Sequence, residues 1–218
     1  MKNINHFGIF ALCLIVVITS CKKSDSNNNN NNNTAFTCGS NLVDSRDNQS
    51  YPTVTIGSQC WMKKNLNIGT KISLTNNQAN NGTIEKYCYD NSDANCTTYG
   101  GLYQWDEMMQ YVTTDGATGI CPTGWHIPTD AQWTTLVNTY TQVAGTALKV
   151  GGASGFDALL GGRRDIDGGS YQITVGGYFW SSTQSGSNVW YYFVSTGTGV
   201  SRTAIDKLRG FSVRCIKT

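Results

Sequence analysis

Two stretches of the chain carry apolar residues at the spacing of a helix that buries one face. In the first stretch these residues recur at i, i+3, i+7 and i+10, namely Leu102, Trp105, Met109 and Val112. In the second stretch they follow a similar spacing, namely Trp133, Leu136, Val137, Tyr140 and Ala144. Thr129 precedes the second stretch as a candidate N-cap, and Gln132 is placed to complete a capping box. This periodicity predicts two amphipathic helices, each with one buried face.

Strands are predicted where apolar and polar residues alternate. Residues 51–56 alternate, Gly57-Ser58 is a turn pair, and a new run starts at Gln59, so a β-hairpin is expected here. Four more strands are predicted in the last third of the chain, at 178–183, 189–195, 199–203 and 211–216. In the last strand, alternate side chains face opposite ways: Phe211, Val213 and Cys215 on one side, Ser212, Arg214 and Ile216 on the other.

The beginning of the chain predicts export and lipid attachment. Lys2 precedes an apolar run at 7–18, which is shorter than the ~20 residues of a transmembrane helix. The run leads into Ile18-Thr19-Ser20-Cys21, which has the form of a bacterial lipobox, whose cysteine is acylated with chains such as palmitate. We therefore predict a lipoprotein signal peptide at 1–20 and lipidation at Cys21. An ordinary cleaved signal peptide, with Cys21 as a spare thiol, is the alternative.

Residues 21–36 are predicted to be a lipidated, disordered tether, because the seven consecutive asparagines at 27–33 cannot bury a core. The folded domain is predicted at 37–218. The expected location is the bacterial outer membrane, with the domain either periplasmic or exposed at the cell surface. The membrane is then a partner through the lipid anchor.

The cysteine count predicts disulfides. Of eight cysteines, Cys13 lies in the predicted signal peptide and Cys21 in the lipobox, which leaves six. An even number in an exported protein indicates disulfides, although six cysteines allow 15 pairings. The expected pairs are Cys38–Cys60, Cys88–Cys96 and Cys121–Cys215. A metal site is disfavoured, because the chain lacks Cys-x-x-Cys and has one histidine, His126, beyond its first ten residues.

The net charge and the acidic motifs restrict which classes of partner the sequence predicts. The chain has 16 Lys+Arg and 14 Asp+Glu, a net charge of +2, which gives no reason to expect nucleic acid. Asp44 with Asp47, and Asp165 with Asp167, superficially resemble calcium loops. Ordinary turns explain both more simply, because Asp-Gly favours turns and the liganding glutamate of an EF-hand is missing. No cofactor and no metal are expected, while calcium at Asp165 and Asp167 stays an open alternative.

The candidate ligand-binding residues lie in the aromatic strands and the glycine-rich loops. They are Trp180, Trp190, Tyr192, Arg163, Asp165 and Asp167. Flat aromatic rings can stack on sugars or aromatic ligands, although packing in the core is the simpler explanation for these rings. His126 has no nucleophile in its local sequence, so a structural role is expected. No catalytic residue is predicted.

Four strings together resemble the Fibrobacter succinogenes major paralogous domain, over residues 38–218. They are Thr53–Met62, Cys121–Thr129, Phe179–Thr183 and Ser212–Cys215. The polar turn at Asp44–Tyr51 departs from the Asp-x-Asp-Gly-Asn-x-Tyr pattern that is more frequent in that family, which further weakens a calcium site there.

A looser similarity links Ile127–Trp133 to the L-P-T-E-A-E-W segment of formylglycine-generating, sulfatase-modifying enzymes, and Gly210–Arg214 to their G-F-R ending. This resemblance implies an α+β, C-type-lectin-like fold, with two helices, a small antiparallel sheet, long irregular loops and disulfides. The copper chemistry of those enzymes is not implied, because no cysteine lies between Cys121 and Cys215. The calcium-dependent sugar motifs of C-type lectins are also missing from the sequence.

The combined features predict a membrane-anchored extracytoplasmic lipoprotein with a non-catalytic binding or adhesion domain. Its partner is expected to be a polysaccharide or a surface protein. Two alternatives stay open. One is an enzyme acting on cell-surface glycans or proteins, which needs polar groups that converge around His126 or around Arg163, Asp165 and Asp167. The other is a purely structural surface scaffold.

Overall fold

The computed structural model describes Met1 and residues 36–218. The signal peptide, the lipidated Cys21 and the asparagine-rich tether fall almost entirely outside these residues and stay predictions. Residues 36–218 form one compact unit. In the described part of the chain, no helix has the length and apolar character that crossing a bilayer requires.

Most of the regular structure is β. The strands of the described residues are β1 (Asn41–Val43), β2 (Ser50–Ile56), β3 (Gln59–Met62), β4 (Thr70–Lys71), β5 (Glu85–Lys86), β6 (Trp125–His126), β7 (Gly161–Arg164), β8 (Ser170–Ile173), β9 (Gly176–Ser185), β10 (Asn188–Ser195), β11 (Val200–Ile205) and β12 (Ile216–Lys217). They form two curled five-stranded sheets, in the orders β1-β2-β3-β12-β6 and β11-β10-β9-β7-β8. β4 and β5 pair separately, in parallel. The predicted hairpin is confirmed as β2 and β3, which pair antiparallel.

The structure is only 17% helical. Its helices are α1 (Asp93–Tyr99), α2 (Trp105–Met108), α3 (Asp130–Asn138) and α4 (Ala144–Leu148), with 3-10 turns at Tyr89–Asn91 and Thr141–Val143. The predicted α+β, C-type-lectin-like fold with two helices and one small sheet is therefore wrong, and the domain is mostly β. The looser similarity to formylglycine-generating enzymes does not extend to this architecture.

The first predicted helix is reduced to the four residues of α2. Gln110 and Tyr111 adopt left-handed backbone conformations, with φ of 52° and 59°, which cannot continue a right-handed helix. Leu102 lies before α2 in an extended bridge with Tyr87. Apolar residues at helical spacing are thus buried by an irregular chain path, and the spacing alone does not reveal this.

The second predicted helix is confirmed at its start and shortened at its end. Thr129 Oγ1 accepts a hydrogen bond from the Gln132 amide at 3.2 Å, and Gln132 Oε1 accepts one from the Thr129 amide at 2.9 Å. These two bonds form the predicted capping box. α3 nevertheless ends at Asn138, and Thr141 takes a positive φ of 40°. Ala144 therefore begins the separate helix α4.

The C-terminal segment, residues 210–217, connects the two sheets. Towards the first sheet, Val213 O accepts from Leu66 N at 2.9 Å and Cys215 O accepts from Met62 N at 3.1 Å. Towards the second sheet, Ser212 O accepts a hydrogen bond from the Trp180 amide of β9 at 3.2 Å. Most of the last predicted strand is thus an irregular segment that ends in the short strand β12.

The alternation predicted for this segment matches the two apolar clusters on either side of it. One cluster contains Phe211, Val213 and Cys215 together with Tyr51, Met62, Trp105, Tyr178 and Trp180. The other contains Ile216 together with Trp61, Trp133, Phe156, Phe179 and Tyr192. Both sheets contribute side chains to both clusters. Burial of this apolar surface between the sheets is the main stabilising contribution to the fold.

The three disulfides are those predicted: Cys38–Cys60, Cys88–Cys96 and Cys121–Cys215. The third joins residues that are 94 positions apart, and in the chain-entropy model such a loop closure contributes roughly 4–5 kcal/mol. Helix α1 begins between Cys88 and Cys96, where the sequence indicated only a polar turn.

Candidate functional site

An open cleft of about 630 Å³ is formed by four segments: the start of β2, the residues after β3, α1, and residues 150–159. This volume is typical of small-ligand sites, which span roughly 300–1,000 Å³. Polar groups in its lining include Gln49, Ser50, Lys63, Lys64, Asn67, Thr97, Thr98 and Asp157. Apolar side chains in its lining include Pro52, Val150 and Leu159.

Asn65 fixes the floor of the cleft. Its amide nitrogen donates to Tyr99 O at 2.7 Å and to Ser212 Oγ at 3.1 Å, and its Oδ1 accepts from Arg214 Nε at 2.6 Å. Asn65 is buried. Its side chain therefore ties the segment after β3 to α1 and to the C-terminal segment, and these contacts hold the cleft walls at a defined spacing.

Gly100 allows α1 to approach this floor closely. A Cβ atom at Gly100 would lie 2.6 Å from Asn65 Cβ, and its φ of +85° favours glycine. Glycine at the end of α1 thus satisfies two requirements at once, a left-handed backbone conformation and a close contact.

Charge in the lining comes from two lysines and one aspartate. Lys63 Nζ forms an ion pair with Asp157 Oδ2 at 3.0 Å. Lys64 is exposed, and within the described residues its ammonium forms no ion pair. Asp157 has a φ of 53°, which places the residue in the left-handed region that aspartate and asparagine tolerate best among non-glycine residues.

Arg214 lies behind the wall of the cleft and is fully buried. Besides Asn65 Oδ1, its acceptors are main-chain carbonyl oxygens of Met62 (3.0 Å), Phe156 (2.6 Å) and Asp157 (2.8 Å). Burial lowers the pKa of Arg214 to about 9, partly opposed by the charge of Asp157. The guanidinium is therefore still protonated at neutral pH, with hydrogen bonds but with no carboxylate directly on it.

Several groups in the lining keep hydrogen-bonding capacity. Thr97 and Thr98 are exposed on α1, and their hydroxyls donate to Asp93 O and Ala94 O, both at 3.0 Å. Their oxygen lone pairs are left as acceptors. Asn67 Oδ1 accepts from Lys86 Nζ at 2.9 Å, while in the described structure the side-chain nitrogen Nδ2 of Asn67 donates to no protein group. The cleft thus offers both donors and acceptors to a ligand.

The aromatic candidates lie elsewhere, and two of them are buried. Trp180 stacks on Phe211 with ring centroids 4.2 Å apart, and its indole donates to Tyr103 O at 2.7 Å. Tyr192 stacks on Trp133 at 5.1 Å. Neither ring offers a free face to a ligand, so the simpler explanation, packing in the core, accounts for both.

Trp190 is half-buried, and one face of its ring is covered. The guanidinium of Arg202 lies 3.3 Å from the centroid of the indole. Arg202 is itself held by an ion pair with Asp130 at 2.6 Å. This contact joins β11 to the start of α3, and it gives Trp190 a structural role.

Arg163 and Asp165 belong to an arginine–aspartate cluster that also contains Arg209 and Asp206. Asp165 Oδ2 accepts from Arg163 Nε at 3.0 Å and its Oδ1 accepts from Arg209 Nε at 2.8 Å, while Arg209 also pairs with Asp206. Burial raises the pKa of Asp165, but its hydrogen bonds and the two arginines outweigh this and leave the pKa below its ordinary value. Asp167 is exposed and accepts a hydrogen bond from Tyr171 at 2.6 Å.

The acidic residues of the cluster are already bonded to arginine. In the described residues, no group of three or more His, Cys, Asp and Glu side chains could hold a metal ion. Both oxygens of Asp165 already receive guanidinium hydrogen bonds. Asp44 is likewise paired, with Arg46 at 2.6 Å. One carboxylate of each acidic motif is thus already paired with arginine, which leaves it less available to calcium.

His126 has structural partners on both ring nitrogens. Nδ1 lies 3.2 Å from Thr218 Oγ1, and Nε2 lies 3.1 Å from Gln132 Oε1. Neither His126 nor the arginine–aspartate cluster lines the cleft. Each of the two groups of residues around which a catalytic site was considered therefore lies outside the cleft.

The cleft residues were not identifiable from sequence. The adjacent Lys63 and Lys64 are a visible signal, but paired lysines are common on surfaces. The cleft unites residues 49–67, 96–100 and 150–159, and only the folded chain brings these segments together.

These features define a disulfide-stabilised, mostly β domain with one described cleft rich in polar groups. The chain belongs to the Fibrobacter succinogenes major domain family, whose sequence model matches residues 54–217. Membership of this family is consistent with a non-catalytic surface protein. A comparison with curated proteins finds no match, and a comparison with solved structures finds none either.

Proposed function

We propose that the chain is an exported lipoprotein whose folded domain binds a polysaccharide in the cleft and catalyses no reaction. The observation that carries this proposal is the preformed cleft, whose lining presents lysine and amide donors beside hydroxyl acceptors. Sugar hydroxyls both donate and accept hydrogen bonds, so a lining of both kinds suits them.

The apolar part of the lining supports the same ligand class. Pro52 and Leu159 are half-buried and Val150 is 62% exposed. Their side chains supply contact area for the C–H surfaces of sugar rings, while the neighbouring polar groups fix orientation. Apolar contact in this proposal thus comes from aliphatic side chains of the cleft and not from the aromatic strands.

The carboxylates of the lining support binding without catalysis. Asp157 is the only carboxylate residue in the lining, and it is paired with Lys63. Most glycoside hydrolases use two carboxylates on opposite sides of the scissile bond. The lining also contains no histidine, and its cysteine, Cys96, is held in a disulfide.

The lipid anchor completes the proposed function. Acylation of Cys21 would hold the protein in the membrane, because each buried methylene contributes ~0.8 kcal/mol. The proposed location is the outer membrane, and protease shaving of intact cells distinguishes a surface-exposed domain from a periplasmic one.

Binding is tested with a glycan array and the purified full chain. Thr97→Trp places a large side chain at the cleft from an exposed position of α1, and should abolish or strongly weaken array binding. Thr135→Trp is the matched control, because Thr135 is also exposed on a helix and also donates to the carbonyl four residues earlier. Glycan binding that is equal in both variants would place the site outside the cleft. Pull-down of a protein, with no glycan bound, would favour a surface protein as partner.

The anchor is tested by metabolic labelling with radioactive palmitate. The wild-type chain should carry the label and sediment with membranes, whereas Cys21→Ser should lose both properties. Cys13→Ser is the control and should keep both, because Cys13 lies within the predicted signal peptide. Label that persists in Cys21→Ser would contradict the lipobox assignment.

A further inference from the structure

Positive charge exceeds negative charge at the cleft. Lys63 and Lys64 line it, and the buried guanidinium of Arg214 lies directly behind its wall. Asp157 is the single carboxylate in the lining. Two lysines in the lining and one guanidinium behind it are therefore set against one carboxylate in the lining.

Asp157 cannot neutralise all three cations. One of its oxygens is paired with Lys63 at 3.0 Å, and its Oδ1 accepts from the Gly151 amide at 3.3 Å. Arg214 contacts the main-chain carbonyl of Asp157, not the carboxylate. Lys64 extends from the exposed side of the same segment, and its ammonium has no ion-pair partner among the described residues.

Because Arg214 is buried, its charge acts more strongly on a ligand in the cleft than an exposed charge at the same distance would. A charge in a medium of low dielectric constant is screened less than one in water, so its field reaches into the adjoining cleft. Asn65 Oδ1 and three carbonyl oxygens stabilise the guanidinium locally, but they carry no net negative charge. Among the described residues that line the cleft, Asp157 is thus the one carboxylate that offsets the positive charge of this wall.

Resting on the proposed function, the geometry points to a carboxylated oligosaccharide, one that contains uronic acid units, as the ligand class of this cleft. A sugar carboxylate is bound by the Lys64 ammonium and by the N–H groups of Lys63 that Asp157 does not use. The ring hydroxyls are bound by the side-chain amide of Asn67 and by the hydroxyl oxygens of Thr97 and Thr98.

The hydroxyl oxygens of α1 favour a sugar over an acidic peptide. Thr97 and Thr98 use their protons on helix carbonyls, so they can only accept hydrogen bonds from the ligand. Uronic acid rings supply hydroxyl donors beside each carboxylate. An acidic peptide has main-chain N–H donors, but its carboxylate-bearing side chains carry no donor of their own beside the charge.

The test is titration calorimetry of the purified full chain at about 50 mM salt, where screening is weak. Three probes are compared: α-1,4-linked tri-galacturonic acid, its carboxyl-reduced counterpart α-1,4-linked galactotriose, and tri-glutamate. The tri-galacturonate should bind at least about tenfold more tightly than either other probe, and its affinity should fall as salt is raised.

Three variants test whether the affinity depends on the charge of the cleft lining. Lys64→Gln should weaken tri-galacturonate binding about three- to tenfold and leave galactotriose unaffected. Asp157→Asn should strengthen tri-galacturonate binding, because it removes the opposing charge and asparagine tolerates the left-handed backbone. Lys217→Gln, an equal loss of charge on β12 and outside the cleft lining, should change neither affinity.

The outcomes distinguish the inference from the proposed function. Equal affinities for the two trisaccharides, both abolished by Thr97→Trp, would overturn the charge assignment and leave polysaccharide binding intact. Tighter binding of tri-glutamate than of tri-galacturonate would assign the cleft to acidic peptides and overturn the inference. Trisaccharide binding that Thr97→Trp leaves unchanged would overturn both the inference and the cleft as the site.

Discussion

Charged residues gather in two regions of the domain, and the regions differ in how their charges are balanced. In the arginine–aspartate cluster, Asp165 bonds Arg163 and Arg209, and Arg209 also pairs with Asp206. Two cations thus meet two anions. At the cleft, Lys63, Lys64 and Arg214 share only Asp157.

The difference shows why the sequence drew attention to the arginine–aspartate cluster and not to the cleft. Arg163, Asp165 and Asp167 are close together in the chain, so they stand out as a group. Opposite charges that are close in sequence readily pair with each other in the fold, and paired charges have little left to offer a ligand. Unbalanced charge arises where distant segments come together, as the segment of Lys64 does with Arg214, whose Nε donates to Asn65 Oδ1 at 2.6 Å.

The largest expected effect on stability concerns Arg214, the buried cation behind the cleft wall. Arg214→Ala should lower the free energy of unfolding by about 3–5 kcal/mol, because it leaves buried oxygens unpaired and creates a cavity. Urea denaturation measures this. Arg214→Met, which fills most of the volume, should recover only part of the loss. Full recovery with methionine would mean that volume, and not hydrogen bonding, is what Arg214 supplies.

Disrupting the arginine–aspartate cluster should lower the free energy of unfolding by a smaller amount. Asp165→Asn removes the carboxylate that two arginines share, and should lower the free energy of unfolding by about 1–2 kcal/mol, since the cluster is partly exposed. Raising the salt concentration should reduce the difference between variant and wild type in urea denaturation. Asp167→Asn, at an exposed position with no ion pair in the described structure, is the control and should have a smaller effect. Equal effects of the two changes would mean that the cluster adds nothing to stability.

Glu107 is a buried acidic residue that forms no ion pair in the described structure. Glu107 is 1% exposed and accepts hydrogen bonds from the Glu85 amide at 2.8 Å and from the Tyr111 hydroxyl at 2.7 Å. Burial raises the pKa of Glu107 above its ordinary value of 4.5, although these hydrogen bonds oppose the effect. Folding therefore shifts the titration of Glu107 towards the protonated form, relative to the unfolded chain.

The sign of the pH dependence follows from this shift. The contribution of Glu107 to stability is fully present below pH 4.5, its ordinary pKa. It is lost as the pH rises through the higher pKa of the folded state. Glu107→Gln is neutral throughout, so its Tm relative to wild type should rise as the pH is raised from about 4.5 to 8. Asp93→Asn, whose side chain is 82% exposed, should show no such rise. A Tm difference for Glu107→Gln that is independent of pH would contradict the raised pKa.

The smallest effect on stability is expected for the residue that matters most to the proposed ligand. Lys64→Gln should change the free energy of unfolding by less than about 0.5 kcal/mol, because Lys64 is exposed and unpaired in the described structure. Its effect should appear only in ligand affinity. A destabilisation comparable to that of Arg214→Ala would show that Lys64 supports the wall and would remove it as a binding residue.

Local features of the fold were predictable where short-range chemistry decides them. The turn pair Gly57-Ser58 located the hairpin of β2 and β3, and Gly57 indeed has a positive φ of 59°. The capping box at Thr129 formed because its two hydrogen bonds join residues three positions apart. The strands at the end of the chain followed from alternation and aromatic density.

The fold class and the cleft were not predictable in this way. Apolar spacing from Leu102 to Val112 matched a helix, yet Gln110 and Tyr111 take left-handed conformations that no local pattern signals. Helix α1 was missed because the residues between Cys88 and Cys96 are polar and match a turn. Resemblance to a two-helix fold then reinforced the error.

The sequence by itself determined the family, the hairpin, and the opposite facing of Phe211 and Ile216 into separate clusters; it indicated disulfides, but it left their pairing among 15 possibilities. These features depend on residue identity, on contacts between near neighbours, or on the two-residue repeat of an extended chain. Only the tertiary structure decided that Trp180 and Tyr192 are core residues, that Arg163 and Asp165 neutralise each other, and that Lys64 and Arg214 share one wall. Burial and charge balance depend on contacts between residues far apart in the chain, and neither quantity exists until the chain is folded.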